Sequence, residues 1–501
     1  QHGLKLPPAS IQKYLLPPLT TATNRFLSIN PKKSTLVTAE EGVHQTMKLS
    51  SSWKKKPLFR RQGDVRFKTG LEASRILLRE VQRRDTHEVE FLESVESAME
   101  CLAPIFDRSP RHAFIAKQIL EPERFIQFRV AWIDDTGVMR LNRGYRIQYS
   151  SALGPYEGPI HFGPHVNYGT MKSIGFDTVF SNSITGYGIG AAVGGADINT
   201  KNKSDAEIQR FCQSYMTELS KYIGPDVDQP GMGMGVGEKE IGYLYGQYKR
   251  INVKSSSGGK PFLTTGNPTF SHASGYGLAH FANNMLGDRN QSLAGKRCLI
   301  IGSGKVARSL AKSLIEDYDA IPLTFSDKHG FIYEPEGFSQ AKFRHLDTIK
   351  EDRGASVGRY IMASTSAKYN EGNLFDIPCD LCFPCGGMGS IGVEEVRKLA
   401  DGGCLGVIEG GHSAVRIAAR KFLKNRGLLY GPHTMTLTGS HIATTLGEDA
   451  TDEKLKEKIN DIYGEVKRTA MEFNKRGDLF AGTTLAGFIR LSNAMVNQGA
   501  V

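Results

Sequence analysis

Long hydrophobic runs are missing from this chain. No stretch of its 501 residues comes near the roughly 18 consecutive apolar residues that a membrane-crossing helix requires, so no membrane span is expected. Cysteine is scarce, with seven in all, at 101, 212, 298, 379, 382, 385 and 404. An odd number, mostly embedded in apolar segments, argues for reduced thiols and against a secreted disulfide framework. Cys379-Asp380-Leu381-Cys382-Phe383-Pro384-Cys385 has metal-like spacing. Residues three apart on a strand face opposite ways, however, so structural thiols and no metal site are expected. The histidines at 161, 165, 272, 412, 433 and 441 form no helical ligand pair, and satisfied or solvent-facing rings are the expectation. There is no internal repeat.

Acid is sparse at one end. Residues 1–82 hold 15 Lys and Arg against 5 Asp and Glu, a net +10, which leaves +1 of the total +11 for everything after them. The same stretch carries Pro7-Pro8, Pro17-Pro18, Ser50-Ser51-Ser52 and Lys54-Lys55-Lys56. A basic extension of this kind is expected to dock on an anionic partner. The chain starts at Gln1, and an Arg/Lys-rich, acid-poor beginning fits a cleaved transit peptide. A mitochondrial location is therefore expected, with the cytoplasm as the alternative. The rest, in a chain 40% hydrophobic and 23% charged, has the make-up of ordinary soluble domains.

Periodicity organises the remainder of the chain. Val89, Phe91, Val95 and Met99 share one face of an amphipathic helix over residues 83–105. Residues 125–149 alternate on either side of Asp134-Asp135-Thr136-Gly137, which predicts a β-hairpin. Ser204 and Glu207 form a capping box for a helix over 205–222, stopped by Gly224-Pro225. Ser255-Ser256-Ser257-Gly258-Gly259 and Gly266-Asn267-Pro268 interrupt all periodicity and mark a domain boundary. Beyond Lys296, short apolar runs alternate with helical stretches, as in a parallel α/β sheet. The expected architecture is α/β: an extension over 1–82, a mixed-sheet domain over 83–268 to which helices of 477–501 return, and a doubly wound domain over 269–476.

The second domain opens with the sharpest motif. Cys298-Leu299-Ile300-Ile301 runs into Gly302-Ser303-Gly304-Lys305-Val306-Ala307 and then a helical pattern. A GxGxxA loop between strand and helix cradles a dinucleotide: the first glycine permits the turn, the second lets backbone approach pyrophosphate, and the helix N-terminus offers free N–H groups. The next strand ends at Ser326-Asp327-Lys328-His329, where hydroxyl and basic groups suit a ribose phosphate. The candidate cofactor residues are Gly302, Ser303, Gly304, Lys305, Val306, Ser326, Asp327 and Lys328, with NADP preferred over NAD and no cofactor strictly required.

Collinear motifs carry a family likeness over residues 84–501. Glu121-Pro122-Glu123-Arg124, Asn142-Arg143-Gly144-Tyr145-Arg146, Leu153-Gly154-Pro155-Tyr156, Ile223-Gly224-Pro225-Asp226 and Glu240-Ile241-Gly242-Tyr243, together with the glycine loop, resemble the hexameric glutamate dehydrogenases. The resemblance implies a substrate domain, a Rossmann domain and NAD(P)-linked oxidation of glutamate. It also shows what is absent. The family's GPYKGG reads Gly154-Pro155-Tyr156-Glu157-Gly158-Pro159, placing an acid where a lysine binds substrate carboxylate, and a second substrate lysine is matched by Ser181. The catalytic lysine of GGxKGG is matched by Val193, and the proton-shuttling aspartate of PAGDxGVG by Gly233. No Lys lies in 174–200 and no Asp or Glu in 229–237, so a one-residue slip restores neither. The nicotinamide loops read Cys385-Gly386-Gly387-Met388-Gly389 and Glu409-Gly410-Gly411-His412, and the PxKxxNAGG segment reads Pro432 to Ser440, with Thr444 in place of a serine.

From the resemblance and these losses, no catalytic residue is expected. The expected function is a glutamate dehydrogenase-like pseudoenzyme, a structural or docking subunit of a large organellar assembly reached through residues 1–82. A mitochondrial ribosome, with rRNA contact, is the favoured host, ahead of a respiratory or ATP synthase complex. The alternatives are an NADP-binding regulatory subunit, as a homo-oligomer or beside a paralogue, and a residual NADP-dependent glutamate dehydrogenase.

Overall fold

A computed structural model of the chain describes residues 67–252, 268–352 and 354–499. Most of the expected basic extension and the Ser/Gly-rich boundary segment lie outside those residues. Folded chain nevertheless begins well before residue 83. Helix α1 (Gly70–Arg84) is capped by the Thr69 hydroxyl, which accepts from the Glu72 N–H, and it buries Ala73, Leu77 and Val81. That apolar stripe packs on α2 (Val89–Arg108), so α1 is part of the first domain rather than of a solvated tail.

After α3 (Pro110–Ile119) come β1 (Arg124–Ile133) and β2 (Met139–Ser150), paired antiparallel in register from Arg124–Gln148 to Ile133–Met139. This is the expected hairpin. Next are β3 (Tyr156–Phe162), α4 (Tyr168–Ile184), β4 (Ala191–Ala196), α5 (Asp205–Leu219), β5 (Asp228–Gly231) and α6 (Glu238–Ile251). The five strands form one mixed sheet in the order β1-β2-β4-β3-β5. Both bonds of the Ser204/Glu207 capping box are present at the start of α5.

The second domain runs α7 (Pro268–Gly287), β6 (Arg297–Ile301), α8 (Lys305–Glu316), β7 (Ile321–Pro322), β8 (Thr324–Ser326), β9 (Phe331–Tyr333), α9 (Gln340–Glu351), β10 (Lys368–Asn370), β11 (Leu381–Pro384), α10 (Val393–Asp401), β12 (Gly406–Ile408), α11 (Ile417–Asn425) and β13 (Leu429–Gly431). It ends with α12 (His433–Thr436), α13 (Thr438–Leu446), α14 (Asp452–Glu472) and α15 (Leu479–Asn497). The main sheet is all parallel, in the order β13-β12-β11-β6-β7. The loops after β6 and β11 diverge at the point where the strand order reverses, the crevice in which such sheets bind nucleotides.

Helix α15 returns to the first domain and packs Leu485, Phe488, Leu491 and Met495 into its core. By length and composition alone it could cross a membrane, but 67% of its apolar window is buried within the protein, as in a core helix.

Candidate functional site: the glycine loop and the cleft between the domains

The glycine loop has the shape its sequence calls for. Gly302 sits at φ +105, a left-handed conformation closed to most residues, and its N–H donates to the Ser326 hydroxyl at 2.8 Å. That bond joins the loop to the tip of the second strand. Gly304 is exposed, and a Cβ placed on it would meet nothing within 4 Å. No side chain caps α8, so its first N–H groups face the open side of the loop. Ser303 is buried and Val306 half-buried beside the core. Lys305 points the other way, reaching Glu238 of the first domain at 3.1 Å and the Met232 sulfur at 3.4 Å.

At the strand tip Asp327 is turned into its own loop. Its two oxygens accept the N–H groups of His329 and Val357, each at 2.8 Å. Burial would raise its pKa, but those N–H bonds outweigh the burial and hold it below the usual carboxylate value. Lys328 and His329 are exposed beside it. The candidate residues therefore divide. Gly302, Ser303, Gly304, Val306 and Ser326 build one loop with Lys328 at its rim, whereas Asp327 and Lys305 are engaged elsewhere.

Of the replaced positions, Glu157 meets the opposite wall of the cleft. Alternation along β3 puts Glu157 and His161 on one face, and α4 supplies Asp177, Ser181 and Asn182 beside them. Val193 on β4 is fully buried and packs into the apolar core with Tyr149 and Phe176. Gly233 leaves no room for an acid, since a Cβ there would lie 2.4 Å from the Ile160 carbonyl oxygen and 2.7 Å from His161 Nδ1. The opposite wall brings Glu409, His412 and Ser413 from the loop after β12, His433 from α12 and His441 from α13.

These walls are joined by charged groups. The His433 ring meets Glu409 at 3.1 Å through Nδ1 and Asp177 at 3.0 Å through Nε2. Burial alone would lower its pKa, but the two carboxylates outweigh burial and lift it to about 9. Burial pushes Glu409 up, yet His433, the half-buried Arg420 guanidinium and the Val415 N–H bring it down to about 2. Glu157 meets His441 Nδ1 at 3.2 Å, and the Ser413 hydroxyl reaches Asp177 at 3.3 Å. Ser413 itself stands at φ +42, a strained backbone for a residue with a side chain. His412 lies between His161 and His433, its ring 5.8 Å and 5.6 Å from theirs. Burial and the His433 charge push it down to about 3, so it is a neutral ring at ordinary pH.

The expectation of satisfied histidines holds at 161, 272, 433 and 441, each hydrogen-bonded; what spacing did not show is that 161, 412, 433 and 441 gather in one cleft. Sequence spacing could not pair Glu157 with a residue 284 positions away. The signal in the sequence was that 412 and 433 fall inside the altered motifs and 441 directly follows one. All seven cysteines are free, six of them buried, and among the described residues no cluster of His, Cys, Asp and Glu has metal-binding geometry.

Both domains match known family models. Residues 122–250 match the Glu/Leu/Phe/Val dehydrogenase dimerisation domain, and residues 266–499 match the Glutamate/Leucine/Phenylalanine/Valine dehydrogenase domain. The chain belongs to the glutamate dehydrogenase family. NADP-specific glutamate dehydrogenase of Chlorella sorokiniana is 38% identical over 446 residues, 85% of this chain and 84% of that protein. The enzyme of that name from Giardia intestinalis is 35% identical, over 85% of this chain and 98% of its own length. The crystal structure of Plasmodium falciparum glutamate dehydrogenase superposes with a TM-score of 0.80 at 36% identity, covering 86% of this chain and 95% of that one.

These relatives overturn one expectation. A structural or docking role in a mitochondrial ribosome, or in a respiratory or ATP synthase complex, has no support. The similarity runs through most of the chain to proteins named NADP-specific glutamate dehydrogenase, and none of these relatives is named as a component of such an assembly. Net charge at one end says what a segment can attract but not what it is attached to.

Proposed function

We propose that the chain is an NADP(H)-binding member of the glutamate dehydrogenase family, a nucleotide-responsive subunit in which amino-acid oxidation has been given up. The open glycine loop at the N-terminus of α8 carries the reading. Its phosphate-facing side is clear at Gly304, and the strand-tip acid is withdrawn into backbone hydrogen bonds, which leaves Ser326 and exposed Lys328 toward a ribose phosphate. The NADP specificity in the names of the relatives agrees with this. Titration with NADPH and NADH tests it. The protein should prefer NADPH, and Lys328→Glu should erase the preference with the fold intact. Equal affinities in the parent protein would remove the reading.

The relatives favour a second reading, a working NADP-dependent glutamate dehydrogenase, because identity of 32–38% extends over most of the chain. Against it stand Val193 and Gly233. A positioned general acid or base contributes about 100- to 10,000-fold, and neither side chain can titrate. A steady-state assay with NADPH, 2-oxoglutarate and ammonium decides between the two. Turnover above a no-protein control establishes the second reading.

A further inference from the structure

Side chains of the two domains pair across the cleft. Glu157, an acid on the first domain, faces His441 on the second at 3.2 Å. Asp177 on α4 faces His433, which Glu409 holds from behind. Ser413, in its strained conformation, adds a hydroxyl to the same Asp177 oxygen, and at the rim Lys305 reaches Glu238. Glu157, Glu409 and His433 are each no more than 5% exposed. Ordinary surface pairs contribute little, about 0–1 kcal/mol, but carboxylate and imidazolium groups buried in contact are strongly coupled, and removing one partner leaves the other uncompensated.

We propose that these contacts form a clamp that holds the two domains closed over the space between β3 and α13. The clamp makes closure the resting state of the chain. In a cleft protein that closes on its ligand, the ligand supplies the groups that bridge the walls; here the protein's own side chains bridge them. A small dianion meets Glu157, Asp177 and Glu409 on entering, and the one imidazolium among them is already shared between two carboxylates. The groups facing His433 are Asp177 from α4 and Glu409 and His412 from the loop after β12; behind Glu409, the Tyr430 hydroxyl of β13 donates to it and Arg420 of α11 lies over the Tyr430 ring. His433 is held between two acids, and the Arg420 Nε donates to the Val415 carbonyl. The exposed Gly304 lies outside the clamp, so the inference does not depend on nucleotide binding.

Spin labels at Lys239→Cys on α6 and Lys312→Cys on α8, both exposed, report the separation of the domains in the full chain. With the clamp intact, pulsed dipolar spectroscopy should give a single short distance. Glu157→Gln and His433→Gln, each near in size to the parent residue, should add a longer population, and the amides of residues 157–162 should exchange about tenfold faster, as expected when a local opening becomes cheaper. Circular dichroism and NADPH titration of the same variants separate opening from unfolding. Should His433→Gln fail to fold, Glu157→Gln and His441→Gln give the same test from the other pair. Folded variants with the parent's single distance and unchanged exchange would overturn the clamp, whatever the nucleotide titration shows.

Discussion

Arg146 and Asp228 show what one buried pair does in the first domain. Both are fully buried, the guanidinium donates to both carboxylate oxygens, and Gln148 adds a third bond at 3.0 Å. Asp228→Ala leaves a buried cation without its partner, and chemical denaturation should show a loss of about 3–5 kcal/mol. His433 makes a pH-dependent contribution of its own. Its pKa in the fold, about 9, lies above the ordinary value of 6.5, so its stabilisation is complete below pH 6.5 and lost as pH rises through 9. Glu409 acts at the other end. Its pKa of about 2 lies below 4.5, so its contribution is complete above pH 4.5 and lost as pH falls toward 2. Thermal melts should therefore decline from pH 6.5 toward 9, and His433→Gln should flatten that decline. A variant with the parent's slope would place the titration elsewhere.

Among the elements, those with local causes were legible in the sequence. The hairpin of β1 and β2 comes from alternation around a turn, and α5 from Ser204 and Glu207. Ser204→Ala should lower stability by about 1 kcal/mol, measured by urea unfolding, since it removes the acceptor for the Glu207 N–H. The turn before α8 was legible for the same reason. Gly302→Ala forces a side chain into φ +105, with the Cys385 carbonyl oxygen 3.1 Å from the new Cβ. The expected cost is about 1–3 kcal/mol, together with weakened NADPH binding. Helix α1 was misplaced because charge counting hid its apolar stripe of Ala73, Leu77 and Val81. The pairing across the cleft was not legible. His433 with Asp177 and His441 with Glu157 join residues more than 250 positions apart, and a single sequence contains no local signal for such partners.

At the scale of the whole molecule, the two domains carry their sheets, caps and switch-point crevice, and side chains from both walls pair between them. Family membership therefore fixes the architecture, and the chemistry has to be argued from the side chains present. The proposed function, nucleotide binding without amino-acid oxidation, predicts a divided result in a single sample. NADPH mixed with the full chain, 2-oxoglutarate and ammonium can be followed by nicotinamide fluorescence and absorbance together. The expected result is a saturable change in fluorescence on binding and no loss of nicotinamide absorbance beyond a protein-free control. Absence of any fluorescence change, or steady oxidation of NADPH, would contradict it.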